Sequence, residues 1–326
     1  MKHLPFISNI WSSIWNAVSA PTIPARSLSI TESSLVLVTL RQRKGEFEPR
    51  QAGILPLPSG LVTASFDRPN ISDEGRMVET LNRVMAQADI RKMGPLNVTL
   101  PAGSAKSMIV SLESVPTSKL EMTQLLEWKI ERATGFRIDE LRSSHHRLEN
   151  DGTHLAGPHW LVSVVHNSVI AQYESIFRQL EWKVGLIVPQ HIGEVNWLLR
   201  PGNVQSDSDQ LLVSLNPRGF EVVIVRGNTP IMIREVECPT DEIENEFYRL
   251  MIYYRDKLTT IGRIPNLSRV LTIGTIADQQ RFRDLVSGTL ERSVISLNAS
   301  QLGLNLDPGM SLSQVAAATG LAVMAW

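Results

Sequence analysis

Cys238 is the only cysteine in 326 residues, so no intramolecular disulfide can form, which fits a reducing compartment such as the cytoplasm. A lone cysteine is more often a small core residue than a nucleophile. No run of 18 or more apolar residues occurs, so no stretch is built to span a membrane as a helix. The net charge of −1 removes any general electrostatic pull toward nucleic acid or an anionic lipid surface. A Gly-x-Ser-x-Gly elbow, a P-loop and a GxGxxG turn are all missing, and with them the common nucleophile and phosphate signatures. Metal-ligand spacing is missing too. His145, His146, His154, His159 and His166 cluster, but no two stand at i, i+2, and no His-x-x-x-His occurs. With Glu149 and Asp151 in a polar loop, this reads as a solvated strand-and-loop cluster rather than a metal site.

What the chain does have is an ordinary globular composition, 43% apolar and 20% charged, at a length that allows two domains with cores. The clearest local signal is Gln210–Glu237. Three apolar runs, Leu211–Leu215, Phe220–Val225 and Ile231–Val236, are separated by the turn clusters Asn216–Gly219 and Arg226–Pro230. Short Val/Ile-rich runs bounded by Pro, Gly and Asn are strands, so the stretch is a three-stranded antiparallel meander. A helix follows over Asp241–Leu258, with Ile243, Phe247, Leu250, Met251, Tyr254 and Leu258 on one face. A weaker copy comes early: Leu35–Leu40, a charged turn at Arg41–Glu48, then Ala52–Leu57 and Gly60–Ser65, and a helix over Ser72–Met93. Two copies of meander plus helix predict a duplicated α/β fold.

The first residues form a separate amphipathic stripe, with Ile7, Trp11, Ile14, Trp15 and Val18 opposite Ser8, Asn9, Ser12, Ser13 and Asn16. Polar residues break it at every turn, which excludes a secretory signal core. Membrane surface, partner and the chain's own body all stay open as its docking site. Residues 1–24 are thus a helix and Pro-containing linker, 25–203 a first domain, and 204–326 a second beginning at the polar stretch Val204–Asp209. Within the first domain, Pro95–Pro101, Met108–Leu112, Arg142–Leu148 and Trp160–His166 read as strands. Ser118 and Glu121 have capping-box spacing for a helix that runs to Thr134 and stops at Gly135. Asn167 is expected to cap the next helix. Later elements are strands at Arg269–Ile273 and Ser293–Leu297 and helices at Ala277–Val286 and Ser311–Met324.

The two meanders, the Pro-Thr-Ser-Lys-Leu-Glu helix start, the Phe247–Leu258 helix and the alanine-rich Ala316–Ala325 end together resemble the PilM family. PilM proteins are cytoplasmic actin-like components of type IV pilus assembly, similar to the division protein FtsA. The resemblance implies a duplicated actin-like (ribonuclease H-like) fold. It also implies an inserted small α/β subdomain at about 94–166 and, since only Cys238-Pro239-Thr240 follows the second meander, a missing lid subdomain in the second half. In the family, Asp-Ile-Gly loops in each half hold a nucleotide. Here the first loop aligns with Ser29, Ile30, Thr31, Glu32, Ser33 and Ser34, and the second with Ser214, Leu215 and Asn216, ahead of Gly219. Asp becomes Ser29 and Ser214, Gly becomes Thr31 and Asn216, and Glu32 brings a negative charge toward the phosphate position. The adenosine-side Gly-Gly becomes Gly274-Thr275. The implied protein is a non-catalytic scaffold without a cofactor, cytoplasmic and peripheral to the inner membrane. Its expected partner is a PilN-type inner-membrane protein, received through a short N-terminal peptide by Leu125, Trp128, Ile130 and Phe136. A pilus motor ATPase and a second copy of the chain are further partners the resemblance admits. The alternatives are a nucleotide-dependent actin-like ATPase of pilus assembly and a type II secretion platform domain.

Overall fold

Alternating apolar residues give each half of the chain a sheet with two buried faces. The computed structural model describes residues 23–326, except 113–117, 149–157, 201, 206–207 and 261–263. The amphipathic stripe of Ile7, Trp11, Ile14, Trp15 and Val18 therefore lies outside the described residues, as do Glu149, Asp151 and His154.

In the first half, β1 (Arg26–Ile30), β2 (Ser34–Arg43) and β3 (Glu46–Pro56) form an antiparallel meander. Strands β4 (Leu96–Leu100) and β8 (Val184–Pro189) extend it in parallel, in the order β3-β2-β1-β4-β8. The early meander thus begins one strand sooner than the sequence predicts, and Gly60–Ser65 is not a strand. The expected charged turn shrinks to Lys44-Gly45, both at positive φ. Its remaining charges sit on the exposed face of two long strands, where Arg41 pairs with Glu48 across the hairpin at 2.7 Å. Leu28, Ile30, Leu35 and Leu37 pack on helices α1 (Glu74–Gln87) and α3 (Asn167–Gln179); Val36, Val38 and Leu40 turn to the other side. Helix α1 is shorter than predicted, since the chain reverses at Asp89, φ 51. Asn167 is the first helical residue of α3 rather than its cap. The His166 imidazole accepts the Ser168 N–H in that role.

The second half repeats the plan. Strands β9 (Asp209–Asn216), β10 (Gly219–Arg226) and β11 (Thr229–Glu237) are the expected meander. Strands β12 (Leu267–Ile273) and the two-residue β13 (Ile295–Ser296) complete the order β11-β10-β9-β12-β13. Leu211, Val213, Phe220, Val222 and Ile224 pack on α5 (Ile243–Thr260) and α6 (Ile276–Leu290). Strand β11 passes into α5 through Cys238 and a single 3-10 turn, Thr240–Glu242.

Helices α4 (Gln190–Leu199) and α7 (Leu312–Ala322) lie between the sheets, and Trp197, Val195, Val315 and Ala316 share one core with Val36, Leu212 and Val223. Their backbones nearly touch: a Cβ on Gly320 would stand 2.0 Å from the Gly193 carbonyl oxygen. Glycine is required there because any side chain would wedge the two halves apart. Between β4 and α3 lies a small sheet of β5 (Lys106–Ser111), β7 (His159–His166) and β6 (Leu141–Leu148), in that order, covered by α2 (Lys119–Thr134). Helix α2 is bounded as its sequence predicts, by the Ser118 hydroxyl on the Glu121 N–H and by Gly135 at φ 78. Among the described residues, no helix is long and apolar enough to cross a membrane.

Candidate functional site

The two meander turns, β1–β2 and β9–β10, face each other across a cleft of about 270 Å³, with the starts of α4 and α7 as its walls. The fold therefore brings Ser29, Thr31, Glu32, Ser33, Ser34, Asn216 and Gly274 together around one cavity. Three other sequence-derived positions play different parts. Ser214 is buried beneath the cavity, Thr275 caps α6, and Gly219 serves the sheet. A Cβ on Gly219 would lie 2.0 Å from the Val236 carbonyl oxygen. Ser29 is also buried, its hydroxyl accepting from Thr99 at 2.9 Å.

A phosphate cradle needs free backbone N–H groups. In this cleft several of them are taken. The Thr31 hydroxyl accepts the N–H groups of Ser33 and Ser34 at 3.2 and 2.9 Å. Asn216 does the same in the second turn, its Oδ1 accepting the Arg218 N–H at 2.9 Å. On the third side, Ser313 accepts the Gly274 N–H at 2.9 Å and Asp278 accepts that of Thr275 at 2.8 Å. The residues standing in for glycine thus close their own loops, as Ser, Thr and Asn side chains do in local turns. Glu32 lines the cavity, and its Oε1 also accepts the Ala64 N–H at 2.7 Å, which anchors the loop.

One cation faces the cleft among the residues that line it. Arg218 reaches from the second half to the turn after β4, donating to the Ala102 carbonyl at 3.4 Å. Gly103, at φ 82, gives it room: a Cβ there would be 1.8 Å from Arg218 Nη2. Beneath the cleft lies a buried charged cluster that sequence reasoning missed, because its members come from α4, β10 and β11. His191 Nδ1 meets Glu221 Oε2 at 3.2 Å, and Gln190 donates to Glu194 Oε1 at 2.8 Å. Burial raises the Glu194 carboxyl above its ordinary range, against the Ser214 and Gln190 contacts. Burial alone would depress His191, but the Glu221 carboxylate, helped by Glu194 and Glu235, leaves it raised. Among the described residues, no three His, Cys, Asp or Glu side chains converge as metal ligands.

The four expected partner-binding residues do not share a surface. Ile130 is 1% exposed inside the small core, and Leu125 and Phe136 pack against the same core. Phe136 meets Phe66 and His166 edge on or tilted. Only Trp128 is out in solvent, half exposed beneath the Arg132 guanidinium. The apolar groove is elsewhere, between β6, β8 and α3. It holds about 320 Å³ and is lined by Ser144, Val164, Ile170, Val184 and Ile187, with the Arg142–Glu174 ion pair at its rim. Among the described residues, strands β6 and β8 are each the last strand of a sheet, and both contribute to the lining of the groove.

Two sheets of like topology on either side of a helix-walled cleft define an actin-like α/β fold. Two solved structures agree, and a third is reported beside them. A PilM-PilN type IV pilus biogenesis complex matches with a TM-score of 0.70 and 17% identity, over 94% of this chain and 99% of that one. A Bacteroides thetaiotaomicron protein of unknown function with an actin-like ATPase fold matches with a TM-score of 0.50 and 11% identity, over 89% and 93%. The cytoplasmic domain of EpsL, an inner-membrane component of the Vibrio cholerae type II secretion system, gives 0.46 and 10%, over 92% and 93%. No protein-family model matches the chain, and no curated protein matches it in sequence. At these identities the likeness is one of fold.

Proposed function

We propose that this chain is a non-catalytic, actin-like scaffold of a type IV pilus machine, cytoplasmic and held at the inner membrane by a PilN-type partner. The observation that carries the reading is the groove between β6 and β8, in a fold like that of a solved PilM-PilN complex. Two terminal strands lining one apolar cavity suit an extended hydrophobic peptide. Main-chain pairing would supply the affinity and the floor would select alternate side chains. The test is binding of a labelled N-terminal peptide of the PilN-type partner by fluorescence anisotropy. Ser144 is exposed and lines the groove, so Ser144→Trp should block it without touching a core. We expect at least tenfold weaker binding with an unchanged melting temperature. Equal binding by the variant, or no binding by the unaltered protein, sinks this site.

The non-catalytic half of the proposal rests on the self-closed loops. With the Ser33, Ser34, Arg218, Gly274 and Thr275 N–H groups engaged, a phosphate would have to break several bonds worth about 1 kcal/mol each. Calorimetry with ATP and Mg²⁺ should therefore show affinity no better than about millimolar, roughly −4 kcal/mol. Micromolar binding would favour the alternative, a nucleotide-dependent ATPase, to which the persisting cavity and its Arg218 lend some support. A role in a related secretion machine would share the groove prediction. Trp128→Ala should leave peptide affinity unchanged, since this residue stands apart from the groove.

A further inference from the structure

We propose that residues 1–22 dock on the chain's own body, their Trp11 and Trp15 filling an apolar groove beside the start of β1. The groove lies at the C-terminal end of α4, whereas the proposed peptide site reaches Pro189 before its start, and holds about 320 Å³ between Phe47, Leu199, Val323, Met324 and Trp326. Its floor is fixed rather than loose. Phe47 is sandwiched by the Arg200 guanidinium at 4.4 Å and the Trp326 ring at 5.2 Å, and Arg200 in turn donates to the Leu302 and Gly45 carbonyls. Met324 and Trp326 remain 38% and 51% exposed, which leaves a concave aromatic surface in water. At the same groove, Asn196 Nδ2 is buried without a hydrogen-bond partner among the described residues. A buried amide donor of this kind calls for an acceptor, which the carbonyls of a docked segment would supply.

The occupant follows from where the chain enters. Strand β1 pairs with β2 so that Arg26 stands opposite Thr39, and the Ala25 carbonyl accepts the Leu40 N–H at 2.9 Å. Continuing that register backwards brings Ile23 level with Gln42, which is itself a wall of the groove. From Val18 to Ile23 is a reach of roughly 17 Å at full extension, enough to turn a segment under the hairpin arm. The segment carries the matching chemistry, an apolar stripe with two indoles one helical turn apart. Its opposite face holds Ser8, Asn9, Ser12, Ser13 and Asn16 and no basic residue, which is poor composition for a lipid surface. Tethering also raises the local concentration of the segment to about millimolar, ahead of a second copy in dilute solution.

The test uses the full chain and two variants. Chymotrypsin should cut after Trp11 and Trp15 at least tenfold faster in Met324→Glu, which places a charge in the groove. Trp11→Ala/Trp15→Ala, altered outside the described residues, should speed amide hydrogen exchange at residues 323–326 at least tenfold with the fold intact. Unchanged cleavage in Met324→Glu, or unchanged exchange in the tryptophan variant, overturns the proposal. So does loss of binding to phosphatidylglycerol-containing vesicles by the tryptophan variant without any change at 323–326. A dimer by light scattering, with cleavage that accelerates on dilution, assigns the groove to a second copy and overturns it as well.

Discussion

Replacing Arg226 with alanine is expected to destabilise the protein by about 3–5 kcal/mol, the loss typical when one partner of a buried ion pair is removed. Asp209 opens β9 with its side chain fully buried, and Arg226 closes β10 directly opposite it in register. The guanidinium grips both carboxylate oxygens, Nη2 to Oδ2 at 2.6 Å and Nε to Oδ1, while the Tyr254 hydroxyl donates to Oδ2 from α5. Tyr254 stays a donor because burial first, and the Asp209 charge second, raise its hydroxyl far above the ordinary range. Without Arg226 the fully buried carboxylate keeps one side-chain donor. Arg226→Lys should recover only part of the loss, since an ammonium cannot bridge both oxygens in a planar fork. Urea unfolding gives the answer. A loss below about 1 kcal/mol for the alanine variant would mean that the pair is solvated, as surface pairs are.

This triad shows what the sequence could and could not disclose. The first turn of the second meander was legible because Asn216-Pro217-Arg218-Gly219 is local chemistry, decided within four residues. So were α2 and its ends, set by Ser118 and Gly135. Even the cleft could be anticipated, though only through the family resemblance, which aligned the two loops that the fold brings together. Asp209, Arg226 and Tyr254 could not be joined in advance, being separated by 17 and 45 positions and united only by sheet register and helix packing. The groove proposed for a peptide escaped for a related reason. It depends on which strands end their sheets, and β6 and β8 are edges only because of the strand orders. The apolar excess on α2 pointed to Trp128 instead, although Leu126 and Ile130 carry the packing and Leu120 and Trp128 face solvent. Long strands also misled: with Arg41, Arg43, Glu46 and Glu48 so close together, the β2–β3 hairpin tip read as a wide loop.

Stability should fall as pH rises through neutrality, and the buried cluster under the cleft is the cause. His191, on α4, meets Glu221 of β10, with Glu194 one turn along the same helix and Glu235 on β11 beyond. Lys106 of β5 faces Glu235 and partly offsets its burial. In the folded chain His191 is raised above its ordinary 6.5, with burial working against the shift and Glu221 chiefly driving it. Its contribution is fully present below about pH 6.5 and is lost as pH climbs through the folded-state value. Glu194 and Glu235 are raised above 4.5, both first by burial, so they too favour the folded state when protonated and withdraw that support as pH rises. All three groups act with one sign. They also sit where α4 of the first half meets β10 and β11 of the second, so losing the His191 proton leaves Glu221 and Glu235, paired side by side on β10 and β11, without the cation that faces Glu221 from the first half. Melting temperature should therefore decline between about pH 6 and pH 9, and His191→Gln should flatten that decline while lowering stability at pH 6. Glu221→Gln should flatten it as well, because the imidazolium loses the charge that holds its proton. A melting temperature that stays level or rises from pH 6 to pH 9 in the unaltered protein would show that the cluster is open to water and does not couple the two halves.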